Sequence, residues 1–192
     1  MNTQQLPIPS YYRVYEPYSQ QYDIKNFFSL SITQRKKSTR IVMQLMSQEV
    51  NTETIPMIVD LLEEYLPAVL ETTCYNENNL PFHLEVRNTE FGHLFEHILL
   101  EYLCQLKIAK GAPQATYVGR TKWNWYRDPK GRFHINLSCG QRDSDILPQA
   151  LDKTVALMQT ILAYNQPMMI QQLPLMPATN GLKNGSQSTE NK

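Results

Sequence analysis

Residues 93–97 read His-Leu-Phe-Glu-His, an H-x-x-E-H. On a helix, His93 and His97 stand one turn apart, so both imidazoles can converge on a single Zn²⁺. Glu96 flanks that line, where a carboxylate can hold a water and take its proton as general base. The order, with the glutamate just before the second histidine, is the inverted zincin arrangement. A catalytic zinc takes three protein ligands and keeps one position open, so a third donor is needed. Glu101 shares the histidines' side of the helix but lies two turns from His93. Glu71 follows the preceding helical segment and can fold back over the site. Cys104, Cys139 and His134 are further candidates. Each also has a plainer reading: surface carboxylates, a small apolar filler, and a solvent-facing strand histidine. The whole pentad can likewise be a solvated helix face that happens to carry two histidines.

The helix that must carry this group starts from a cap at Asn88 or Thr89, runs to about Ile108, and stops near Gly111 and Pro113. Phe91, Leu94, Phe95, Ile98, Leu99, Tyr102, Leu103 and Leu106 form its apolar face, with His93, His97, Glu101 and Cys104 opposite. Upstream, 27–34 and 39–46 alternate as strands around the polar turn 35–38. Asn51 or Thr52 caps a helix to about Leu66, with Pro56 in its first turn. Residues 82–86 read as a short strand. Residues 114–126 and 132–138 read as a hairpin turning at Asp128-Pro129-Lys130-Gly131, and Asp143 or Asp145 opens a last helix to about Tyr164. Helices interspersed with hairpins predict a single α+β domain, with helices packed on a mostly antiparallel sheet. That domain spans 11–165. Residues 1–10 read as a flexible N-terminus, and 166–192 as a disordered tail in which Met168-Met169-Ile170 can dock on the body or on a partner. Tyr11, Tyr12, Tyr15, Tyr18 and Tyr22 read as an edge strand packing tyrosines.

Lys plus Arg number 18 and Asp plus Glu number 18. That balance argues against nucleic-acid or membrane-surface binding by bulk charge. Trp123, Trp125 and Tyr126 beside Lys122, Arg127, Lys130 and Arg132 can form a stacking platform for single strands. Cross-strand packing in the hairpin is the stronger expectation. No apolar run reaches the roughly 18–20 residues of a membrane span. The first residues carry no export signal, and three cysteines, an odd number, read as reduced thiols. The expected location is therefore cytoplasmic.

Phe91-Gly92-His93-Leu94-Phe95-Glu96-His97-Ile98-Leu99-Leu100-Glu101 resembles the G-H-x-x-E-H-x-x-L-E core of the N-terminal domain of cyanophycin synthetase. Leu66-Pro67-Ala68-Val69-Leu70-Glu71-Thr72-Thr73-Cys74 resembles its L-P-x-L-x-E-H-x-C, and Tyr117-Val118-Gly119-Arg120-Thr121-Lys122 its V-G-x-G-R-T-R. The resemblance covers about residues 38–164. It implies a free-standing copy of that domain, without the ATP-dependent ligase modules, and so no ligase activity of its own. It further implies either a zinc peptidase cutting an aspartate-arginine polymer or related peptide, or a non-catalytic module binding such a chain or a ligase partner. In the first case His93, His97 and Glu101 or Glu71 would hold zinc and Glu96 would be general base, while Arg120 would either fork onto a substrate carboxylate or form a structural salt bridge. A homo-oligomer is left open. Two places depart from the family pattern: Thr72 stands where the family often has histidine, and Asn136-Leu137-Ser138-Cys139-Gly140 replaces an acidic strand end.

Overall fold

The computed structural model describes residues 18–75 and 79–164. Five strands form one antiparallel sheet: β1 (Tyr18–Ile24), β2 (Phe28–Gln34), β3 (Thr39–Leu45), β4 (Gly119–Lys122) and β5 (Arg132–Leu137). Their spatial order is β1-β2-β3-β5-β4. The first three make a meander, and the chain returns after a long helical excursion to place β5 beside β3 and β4 at the edge. The helices are α1 (Ile58–Tyr65), α2 (Phe82–Glu85), α3 (Phe91–Ala109) and α4 (Leu147–Tyr164). This is the single α+β domain that the sequence predicts.

Strand alternation decides which side of the sheet meets the helices. Phe28, Leu30 and Ile32 of β2, Ile41 and Met43 of β3, and Phe133 and Ile135 of β5 are fully or almost fully buried on one face. The intervening Ser29, Ser31 and Thr33 keep the other face polar. α3 packs on the buried face, and Phe95 meets Phe28 edge to face at 6.2 Å between centroids. α4 adds Ala150, Leu151, Met158 and Ile161 to the same core.

α3 is covered on nearly every side in its first half: from Phe91 to Leu99 only His93 is not fully buried. The sequence expectation of a histidine face turned away from the core is corrected here, because Glu96 and His97 are themselves buried. Gly92 makes this closeness possible. A Cβ there would fall inside the Phe133 ring, so only glycine lets α3 approach β5.

Several boundaries differ from expectation. Residues 82–86 form α2 and the start of a 3₁₀ turn rather than a strand. Pro81 starts the turn, and Phe82 and Val86, one turn apart, are both buried. The 51–66 helix is split: Asn51 caps a 3₁₀ turn at Thr52–Thr54, and α1 begins only at Ile58, beyond Pro56. β4 is much shorter than 114–126. Trp123 and Trp125 each pack edge-on against Phe133, as expected for hairpin packing. Tyr22 of the edge strand β1 packs against the core. Tyr11, Tyr12 and Tyr15, the N-terminal segment 1–10 and the tail 166–192 lie outside the described residues. Among the described residues, no helix is long and apolar enough to cross a membrane.

Candidate metal centre

The start of α3 is fixed from below. Thr52 N–H donates to the Thr89 carbonyl at 2.8 Å, Phe91 N–H donates to the Val50 carbonyl at 2.9 Å, and Asn51 bridges Glu90. Glu90 occupies the N-cap position without a side-chain cap bond. The Thr89 hydroxyl, expected as a cap, instead meets His93 Nδ1 at 2.8 Å. A second closure brings in residues 72–82: Thr73 bridges Pro81, Cys74 N–H donates to the Leu80 carbonyl at 3.1 Å, and Phe82 N–H donates to the Thr72 carbonyl at 2.9 Å. This loop carries Cys74 over α3 and lays Phe82 flat on His97, with centroids 3.9 Å apart and ring planes within 12°.

Cys74, His93 and His97 each place one ligand atom within 4.8 Å of the others. Cys74 Sγ lies 3.3 Å from His93 Nε2. The second nitrogens are already engaged. Thr72 donates its hydroxyl proton to the Val69 carbonyl at 2.7 Å, so its oxygen is left to accept from His97 Nδ1 at 3.3 Å. That assigns the proton to Nδ1 and leaves the Nε2 lone pair of His97 uncommitted. The Thr89 hydroxyl is likewise hydrogen-bonded to Nδ1 of His93, at 2.8 Å. Hydroxyls behind ligand imidazoles fix tautomer and ring orientation in this way. Burial holds both imidazoles below their ordinary range, His97 down to about 3 with the neighbouring His93 adding to the effect. Both are therefore neutral at neutral pH, which is the metal-binding form. Two imidazoles and one thiolate make a donor set that suits a tetrahedral Zn²⁺ with its fourth position open.

Glu96 is only 5% exposed. Burial raises its carboxyl to about 7, while a short hydrogen bond from the Thr121 hydroxyl pulls the other way. Gly119 matters here too: a Cβ at that position would strike the Glu96 carboxylate, so glycine lets β4 lie directly against it. A carboxyl poised near neutrality beside the candidate three-donor group has the pKa a general acid–base needs.

These groups share one cleft of about 580 Å³, walled by α3 on one side and by 115–121 on the other. Glu101 lines this cleft, four residues beyond His97, and accepts from Gln105 at 2.9 Å. It is not part of the three-donor group. Glu71 is exposed and is not among the cleft-lining residues. Arg120 borders the cleft, but it pairs with Asn136 and so takes the alternate pleat position from Gly119 and Thr121, which face α3. Cys104 lines the cleft, and its sulfur accepts from the Tyr117 backbone N–H. Cys139 is buried with its thiol pushed up to about 12, chiefly by desolvation. His134 Nε2 pairs with Asp128 at 3.1 Å on the hairpin. Sequence reasoning missed Cys74 as a donor. Its signal was its place at the end of the Leu66–Cys74 motif, three residues after Glu71.

The far wall of the cleft is tied to α3 by Asp143, whose Oδ1 accepts from Lys107 Nζ and from the Tyr117 hydroxyl, both at 2.8 Å. Comparison with curated proteins returns no significant match. The model of the cyanophycin synthase-like N-terminal domain matches residues 40–162, from β3 through most of α4, and the chain belongs to that family.

Proposed function

We propose that this domain is a zinc-dependent peptidase or amidase acting on an aspartate-arginine polymer or a related peptide. The observation that carries the reading is the convergence of Cys74, His93 and His97 within 4.8 Å, with Glu96 on the next position of the same helix. His93 Nε2, the free nitrogen of His97 and the Cys74 sulfur would hold the metal. When bound, Zn²⁺ supplies Lewis-acid polarisation of a carbonyl and activation of water near neutral pH. Glu96 accepts a proton from the attacking water and returns it to the departing amine nitrogen, a double role that its carboxyl near 7 permits. Thr121 orients that carboxyl through its hydroxyl. Phe82 excludes water from one face of His97. The family supports the polymer as substrate; the cleft supports a peptide in general.

Purified without chelator, the protein should carry about one Zn²⁺ per chain, and Cys74→Ala should lose it. Glu96→Gln should keep the metal and lose about 10²–10⁴-fold in hydrolysis rate. The assay is cleavage of the aspartate-arginine polymer and of a general peptide library. Absence of zinc, or equal behaviour of wild type and Glu96→Gln on every substrate, sinks this reading.

One observation favours a second reading. Glu96 is buried and already bonded to Thr121. In a binding module for such a chain or for a ligase partner, that bond would be structural, pinning β4 to α3. Glu96→Gln would then lower stability without touching any activity.

A further inference from the structure

The cleft has a property that its side chains do not express. Ser138 N–H donates to the Val118 carbonyl at 2.8 Å, and Val118 N–H donates to the Ser138 hydroxyl at 2.8 Å. The backbone groups of Val118 therefore point toward β5. In an antiparallel ladder this direction alternates residue by residue. Arg120 and Lys122, opposite Asn136 and His134, point the same way as Val118. Gly119 and Thr121 must point their N–H and C=O the other way, off the edge of the sheet. Tyr117 shares their parity, and its N–H indeed reaches Cys104 on the cleft side. Among the described residues, no turn or loop bond satisfies the main chain of Gly119 or Thr121. The sheet order leaves β4 at an edge among the described residues. These two residues also flank the Glu96 carboxylate, Thr121 by its hydroxyl and Gly119 by its missing Cβ. A row of unpaired donors and acceptors, about 7 Å apart along a strand, lies beside the candidate general base.

We propose that β4 aligns the substrate: an extended peptide adds to its open edge as a sixth strand, pairing its main chain with Gly119 and Thr121, and turns basic side chains toward Glu90 and Glu101. Main-chain pairing supplies affinity, and alternate side chains supply selectivity, as in other strand-addition complexes. Glu90 and Glu101 line the cleft and lie outside the three-donor group. Among the described residues, the one Lys or Arg bordering the cleft, Arg120, belongs to the alternate pleat position. A cationic peptide is thus favoured over an anionic one. The occupant is an ordinary α-linked chain, because only its backbone repeats at the spacing of this edge. Its cleavage beside Glu96 rests on the peptidase reading above; its binding does not.

The test uses the full chain as purified and a blocked hexapeptide of alternating arginine and alanine. Amide hydrogen exchange is followed by NMR, with and without the peptide. Protection of the Gly119 and Thr121 amides should rise at least about tenfold, with Val118, Arg120 and Lys122 unchanged. N-methylation along the peptide should weaken binding about tenfold or more at every second residue only. The same peptide with glutamate for arginine should bind at least about tenfold more weakly. Binding without protection at Gly119 and Thr121, methylation effects without alternation, or no binding of the peptide each overturn the proposal. If the protection pattern appears while no peptide is cut, the peptidase reading fails and strand addition stands. If peptides are cut without the pattern, strand addition fails and the peptidase reading stands.

Discussion

Glu96 and His97 are neighbours in sequence, and burial drives their protonation in opposite directions. Glu96 is raised from 4.5 to about 7, so the folded, metal-free protein holds its proton more tightly than the unfolded chain. The stability this contributes is full below about 4.5 and is lost as pH rises through about 7. At 1.36 kcal/mol per unit the loss approaches about 3 kcal/mol. His97, lowered to about 3, contributes stability that is full above 6.5 and is lost as pH falls through about 3. Denaturant unfolding in chelator should separate them. The stability of wild type relative to Glu96→Gln should fall by about 2–3 kcal/mol between pH 4.5 and 8, while the His97 contribution cancels in the difference. Parallel curves would show that the carboxyl is not held near neutrality. Behind the imidazoles, Thr89→Val should weaken zinc about 10–100-fold, read by competition with a chromophoric chelator. The histidine pair and Glu96 were legible from spacing alone, because helical periodicity is local. Cys74 was not, because only the bridge from Thr73 to Pro81 folds it over α3. Nothing in the composition of 66–74 announces that pairing.

At the level of elements, two glycines set how closely α3 meets the sheet. Gly92→Ala drives a methyl into Phe133, a ring with no exposed surface to escape toward. Overpacking of this kind costs about 1–3 kcal/mol, and the midpoint of denaturant unfolding should drop accordingly. Gly119→Ala pushes instead on the Glu96 carboxylate. It should lower hydrolysis more than it lowers stability, with zinc content retained; a stability loss equal to that of Gly92→Ala, at unchanged activity, would contradict this. β2 and β3 were readable because one face is buried and the period of burial matches the period of the backbone. α2 was not. Phe82-His83-Leu84-Glu85-Val86 alternates like a strand, yet Phe82 and Val86 bury together at helical spacing once Pro81 turns the chain. Four or five residues satisfy both periods, and tertiary packing decides between them.

Across the whole molecule, all three candidate donors fall in one stretch, 74–97, but they converge only when that stretch is packed against the sheet and the 50–54 turn. Metal binding should therefore stabilise the fold. Zinc at 100 times its dissociation constant raises stability by about 2.7 kcal/mol, less any affinity of the unfolded Cys and His residues. Thermal unfolding should shift upward with zinc in wild type and stay fixed in Cys74→Ala. The one-sided sheet was foreseeable from alternation, whereas the acidic lining of the cleft was hidden inside a chain with no net charge. The exposed margin of β4 also has a colloidal consequence. Any strand that can accept a peptide can accept a second copy of its own chain, and proteins guard such margins with shortness and charge. β4 has four residues, and two of them, Arg120 and Lys122, are exposed cations. In a concentrated solution they would place like charges side by side whenever two margins approached. Replacing both with valine should convert a solution that stays clear into one that scatters light within hours at high protein concentration, even where unfolding measurements find the domain unchanged.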